Sequence, residues 1–168
     1  MQVRGVVCGL LILVAQFSIL AQQEAFDQTI QPLRTSVRNP EAIAVLIGLK
    51  QYNDPQVFPV PYAVNDVNLV KQYLIDTMGF KPENVITLTN EKATAGAIKT
   101  ALRRQLPGLL VQNRSDVFIY YSGHGGPCLD ERPGSREETN GCLLPYDWNP
   151  NYTSIENTYP VNDLNSDL

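Results

Sequence analysis

The fold is decided by the stretch Asp116-Val117-Phe118-Ile119-Tyr120-Tyr121-Ser122-Gly123-His124-Gly125-Gly126. Residues 117–121 are all β-branched or aromatic, the composition of a strand. The glycines that follow let the chain turn sharply. Two earlier stretches have the same brevity and apolar character. Ala42–Leu49 reads A-I-A-V-L-I-G-L and Asn84–Leu88 reads N-V-I-T-L, and short apolar runs of this kind suit buried parallel strands. Between them, Tyr62–Met78 places apolar residues at 64, 67, 70, 74, 75 and 78, which is helical spacing with one buried face. Gly79 is the expected C-cap. Thr94 opens a second helix, with Ala97, Ile98, Ala101, Leu102, Leu106 and Leu109 along one side. Pro107 is expected to kink or end it. The order β-α-β-α-β predicts an α/β protein, a three-layer α/β/α sandwich around a mostly parallel sheet. Residues 51–61, with Asn53-Asp54-Pro55 and two further prolines, read as a loop. So does Asp130–Asn140, before a short apolar piece, Cys142–Tyr146, that ends in Asp147.

Composition narrows the function classes. The chain has 168 residues, 13 Lys and Arg against 17 Asp and Glu, and a net charge of −4. This is ordinary globular composition, so collagen-like, coiled-coil and disordered readings are excluded. The acidic balance argues against a nucleic-acid partner, which favours basic surfaces. Three cysteines are too few for a disulfide scaffold, and one histidine excludes a multi-histidine metal centre. At the N-terminus a single charge, Arg4, precedes the apolar run Val6–Ala15, and Ala21 fits the residue before a cleavage site. Residues 1–21 therefore read as a signal peptide, with 22–41 as a linker. The apolar run is short for a membrane span; an uncleaved anchor and a buried helix are the alternatives. Cleavage predicts a secreted or periplasmic protein with no membrane contact afterwards. It would retain Cys128 and Cys142, which read either as a disulfide or as two free thiols in a loop.

The chemistry concentrates at His124, the one histidine, just past the carboxyl end of the third strand. Functional groups of parallel sheets collect at that edge, and an imidazole there can serve as general acid or base. A lone histidine in a glycine-rich turn reads equally as a surface residue. The glycine run is no phosphate loop, since it lacks the Gly-Lys-Ser/Thr ending and no helix pattern follows.

Four segments in order carry a resemblance: Ile43–Leu49 with Tyr52-Asn53-Asp54, Ala63-Val64-Asn65-Asp66-Val67, Tyr120-Tyr121-Ser122-Gly123-His124-Gly125, and Leu143-Leu144-Pro145-Tyr146-Asp147. Over residues 42–168 the chain resembles the caspase-like cysteine peptidases, bacterial metacaspase-type members above all. The resemblance implies a caspase-like fold and a cysteine-type endopeptidase acting on protein or peptide substrates. It implies a Cys-His dyad, with preference for Arg or Lys before the cut. His124 then matches the catalytic histidine, and Gly125 the glycine whose N–H helps to hold the oxyanion. Asp66 and Ser122 match positions lining the pocket for the residue before the cut. Asn65 or Asp66 also reads as a helix cap, and position 63, often Cys in the family, is Ala here. The nucleophilic cysteine is expected about 50 residues past His124, beyond Leu168; neither Cys128 nor Cys142 has its context. The chain therefore reads as the His-containing N-terminal portion of the domain, incomplete at the C-terminus, with Asp163 as the N-cap of an unfinished helix. The alternative reading is a non-catalytic caspase-like binding module. An unrelated flavodoxin-like domain is disfavoured by the Tyr-Ser-Gly-His-Gly segment. Calcium, implied by the resemblance, stays open. Asp163 partly matches a calcium position, though Asn162 replaces its acidic neighbour. The acidic loop with Asp130, Glu131, Glu137 and Glu138 could bind calcium or simply be solvated. No metal ligand or cofactor is assigned.

Overall fold

The computed structural model describes residues 31–129, 139–151 and 157–164, and those from Leu33 onward belong to one unit. The leader read over 1–21 and the acidic loop 130–138 lie outside the described residues. Among the described residues no helix is long and apolar enough to cross a membrane.

Strand β1 (Ile43–Gly48) is buried along its whole length. It lies between β2 (Val85–Thr89) and β3 (Val117–Ser122), parallel to both, in the order β2-β1-β3. The register pairs Gly48 with Thr89 on one side and with Ser122 on the other, so the three carboxyl ends are level. Strand alternation sends Ile43, Val45 and Ile47 to one face, where they meet Ile98, Leu102 and Leu106. It sends Ala44 and Leu46 to the other, against Val67 and Leu74. The sheet is thus covered on both faces, the three-layer arrangement that the spacing predicts.

Helix α1 (Ala63–Gln72) supplies the second of these faces and continues into a wider π-helical turn, Tyr73–Thr77. Its N-cap is Tyr62, which makes no side-chain cap bond. The reading of Asn65 or Asp66 as the cap is therefore corrected: Asp66 lies inside the first turn. On the opposite face α2 (Ala95–Thr100) runs through a π-helical turn (Ala101–Gln105) into α3 (Leu106–Leu109). Thr94 caps α2, its Oγ1 accepting from Ala97 N–H at 3.2 Å. A second cap comes from far along the chain, where Asp147 Oδ1 accepts from Ala95 N–H at 2.8 Å. Pro107 sits just past the wider π-helical turn, and the helix ends two residues later at Leu109.

Two glycines are required by close approach. A Cβ on Gly48 would lie 2.7 Å from the Ala63 carbonyl oxygen and 2.7 Å from Val67 Cγ2, so α1 packs directly on the end of β1. Gly79 has φ +75°, the left-handed conformation of a helix C-cap. Residues 33–41, read as part of the linker, run along the segment that Gly79 ends. Thr35 N–H donates to Asp76 O at 3.0 Å, and Asn39 N–H to Gly79 O at 2.9 Å.

A second sheet, not anticipated from the sequence, is antiparallel: β4 (Gly125–Leu129), β5 (Thr139–Leu143) and β6 (Tyr159–Pro160), in that order. Gly125-Gly126-Pro127 reads as a turn because central strands exclude such residues. β4 is an edge strand. Its ladder bond from Leu144 N–H to His124 O, 3.0 Å, sets the alternation. In the register that follows, Pro127 opposite Gly141 falls at a position that exchanges no bonds with β5, so its missing N–H costs nothing.

The packing yields a paired prediction. Gly48→Ala must push a Cβ into backbone and should cost about 1–3 kcal/mol. Gly96, inside α2 with nothing within 4 Å of an added Cβ, should tolerate Ala with a gain of about 0.5–1 kcal/mol. Urea denaturation of both variants checks this. Equal effects of the same sign would contradict the packing described.

Candidate functional site

The level carboxyl ends of the three strands set where the site can form. The chain leaving β1 is held by Asn90, whose Oδ1 accepts from Lys50 N–H at 3.0 Å and Gln51 N–H at 3.3 Å. Asn90 itself has φ 44°, a left-handed conformation that asparagine tolerates. Asn53 N–H donates to Tyr146 O at 2.8 Å, and Tyr146 N–H to Ala93 O at 2.9 Å. These bonds fix the loop of residues 51–61 beside the end of β3.

His124 stands where that loop meets the β3–β4 connection. Its Nε2 is 2.7 Å from the carbonyl oxygen of Phe58. A carbonyl can only accept, so Nε2 carries the proton and Nδ1 is the basic nitrogen of the neutral ring. The imidazole leans on the Tyr52 ring, centroids 5.3 Å apart and planes at 33°. Its carboxyl-side neighbour Gly125 pairs with Leu143 at a position that exchanges no ladder bonds. The Gly125 N–H therefore faces away from β5.

The backbone of His124 is held by two tyrosine hydroxyls. Its N–H donates to Tyr52 Oη at 2.7 Å. Its carbonyl accepts from Tyr121 Oη at 2.6 Å, and the same hydroxyl reaches Leu144 O at 2.8 Å. The two hydroxyls thus clamp His124 at both of its backbone polar groups. Gly123 is required by this clamp, because its Cβ would lie 2.7 Å from Tyr121 Oη and 3.0 Å from Tyr52 Oη.

Asp66 and Ser122, 56 residues apart, are brought together at the same edge: Ser122 Oγ donates to Asp66 Oδ2 at 3.4 Å. Ser122 is fixed by its carbonyl, which accepts from Leu49 N–H at 2.9 Å. Asp66 sits in the first turn of α1, where the helix dipole favours a carboxylate.

Among the described residues no group of three or more His, Cys, Asp or Glu could hold a metal ion. The acidic loop with Asp130, Glu131, Glu137 and Glu138 lies outside them. The buried carboxylate of Asp163 is engaged by Arg103 Nη2 at 2.8 Å. Cys142 is disulfide-bonded, so the alternative of two free thiols is corrected for this residue. The side chain of Cys128, on β4, is outside the description. Tyr52, Tyr121 and the Phe58 carbonyl are the site groups that the sequence left without a role. Both tyrosines stand in the motifs quoted above. Phe58 contributes through its backbone, which has no side-chain signature.

Burial raises the pKa of Tyr52 above its ordinary value of 10.0, against the lowering effect of the His124 N–H bond. Burial, then the neighbouring Tyr52, raises Tyr121 further. The folded state thus keeps phenol protons that the unfolded chain releases near pH 10. The stabilisation is whole below that pH and is lost as pH rises through the folded values. The melting temperature is expected to hold from about pH 8 to about pH 10 and to fall above it. Tyr52 and Tyr121 should ionise at higher pH in the folded protein than in the unfolded chain. Free titration of all eight tyrosines in the folded protein would contradict the burial described.

Comparison with known proteins agrees on one family. The family model described as metacaspase, peptidase C14 domain, matches residues 43–161. Metacaspase-1 of Eremothecium gossypii is 30% identical over 112 residues, which are 64% of this chain and 24% of that protein. Metacaspase-9 of Arabidopsis thaliana is 29% identical over 112 residues, 64% of this chain and 34% of that protein. The chain thus spans about a quarter to a third of these curated relatives. A crystal structure of a protein from Geobacter sulfurreducens superposes with a TM-score of 0.56 at 21% identity, over 77% of this chain and 45% of that one. At that identity the likeness concerns the fold.

Proposed function

Because the chain belongs to the metacaspase family, peptidase C14 domain, we propose that it supplies the histidine half of a caspase-like cysteine endopeptidase that cuts after Arg or Lys. The observation that carries this reading is the 2.7 Å bond from His124 Nε2–H to the Phe58 carbonyl. It commits the ring to one tautomer. Nδ1 is then free to take the proton of a cysteine thiol and return it to the leaving amine. The same carbonyl stabilises the imidazolium formed in between, the part an orienting carboxylate plays in other triads. The Gly125 N–H, turned away from β5, is a donor suited to the oxyanion of the tetrahedral intermediate.

Cys142 cannot be the nucleophile, because its sulfur is already bonded. Asp66 and Ser122, linked at 3.4 Å, are proposed to line the pocket for the residue before the cut. A carboxylate there offers a guanidinium or ammonium a charge-assisted bond. Protein or peptide substrates follow from the family. Export to an oxidising compartment is part of the proposal, and the disulfide at Cys142 supports it.

The test is hydrolysis of Arg- and Lys-containing peptides by the full-length protein. His124→Ala should lower kcat by at least about 100-fold. Asp66→Asn should lower kcat/KM for Arg peptides by about 10- to 100-fold. Full activity in His124→Ala would remove this residue from the mechanism. Binding of peptides without cleavage by the wild type would favour a non-catalytic module.

A further inference from the structure

We propose that Tyr52 and Tyr121 are positioning residues for His124, their hydroxyls clamping its backbone N–H and carbonyl so that the imidazole stays on the Phe58 carbonyl. The inference rests on the catalytic reading of His124 but has its own geometry. His124 is only half-buried and is flanked by Gly123 and Gly125. A glycine on each side gives the backbone freedom that has to be removed elsewhere. The two hydroxyls remove it at both polar groups of the residue: the N–H is held at 2.7 Å by Tyr52 and the carbonyl at 2.6 Å by Tyr121. Tyr52 is anchored in the core at 8% exposure, 72 residues away in sequence. Its loop also carries Phe58. One residue therefore ties the His124 backbone to the loop whose carbonyl holds the His124 side chain. Because both phenols stay protonated, both bonds persist throughout the neutral range.

Tyr121 holds the other end. Its hydroxyl bridges the carbonyls of His124 and Leu144, joining the turn to the residue that directly follows β5. Gly123 permits the arrangement, since any Cβ there would meet both hydroxyls. Loss of either hydroxyl should free the turn, lengthen the bond from Nε2 to Phe58 and let the ring exchange tautomers.

Tyr52→Phe keeps the aromatic ring beside the imidazole and removes only the hydroxyl. Gly123→Ala attacks the same clamp from the other side, since its Cβ would meet both hydroxyls. Tyr120→Phe, on the opposite face of β3 among Leu46 and Val67, is the control. In the full-length protein, kcat for an Arg peptide should fall about 10- to 100-fold in Tyr52→Phe and Gly123→Ala, with KM nearly unchanged and the control unaffected. A purely structural role would not split kcat from KM in this way. The second readout needs no activity. The chain has one histidine, so its imidazole nitrogen resonances are unambiguous. The wild type should show the Nε2–H tautomer, and Tyr52→Phe a mixture of the two. If the wild type cleaves no peptide, the peptidase reading fails, and the tautomer comparison still decides the role of the two hydroxyls. An imidazole spectrum in Tyr52→Phe identical to the wild type would overturn the proposal.

Discussion

With parallel neighbours on both sides and helices on both faces, β1 has every backbone and side-chain group of Ile43–Gly48 satisfied by protein. That burial leaves little freedom at its exit. Leu49, fully buried, is bonded to the Ser122 carbonyl at 2.9 Å, so the chain leaving β1 and the chain leaving β3 are locked side by side. Gly48 lets α1 sit against that junction, and α1 brings Asp66 to Ser122. Tyr52, three residues past Leu49, is carried into the core and delivers its hydroxyl to the β3–β4 turn. The arrangement around His124 thus inherits its precision from the most deeply buried strand of the molecule.

The polar groups at this edge follow the rule that buried donors and acceptors find partners. They do so with neutral groups: two phenols, backbone amides and carbonyls surround the backbone of His124. Charged partners would have to be desolvated there, at a cost that hydroxyls avoid. The ionisable side chains stand apart, with Asp66 on a helix first turn and the His124 imidazole half-buried. Held backbone and half-buried imidazole are complementary. The proposed general base needs one tautomer and one orientation, and uncharged bonds supply both.

The three parallel strands were legible in the sequence almost to the residue, because β1, β2 and β3 are short apolar runs flanked by turn residues and helical periodicity. The faces of α1 and α2 were legible for the same reason, except at their far ends, where Met78 and Leu109 are exposed. The hairpin β4–β5 was not. Gly125, Gly126 and Pro127 carry turn chemistry, and only the edge position, with Pro127 turned away from β5, makes them a strand. At the site, His124, Asp66 and Ser122 stand out as residue types in a motif. The Phe58 carbonyl has no residue type to betray it. The hydroxyls of Tyr52 and Tyr121 meet His124 only after the parallel register has formed, since Tyr52 and His124 are 72 residues apart. Asp147, capping α2 from 52 residues away, is illegible for the same reason.

The central claim is that His124 works on a thiol of the same protein at the carboxyl edge of this sheet. It is tested most directly by treating the full-length protein with an arginine-directed, thiol-reactive peptide electrophile and weighing the intact product. The account predicts a single adduct on one cysteine, formed in the wild type and lost in His124→Ala. No adduct, or one that forms equally well without His124, would contradict it.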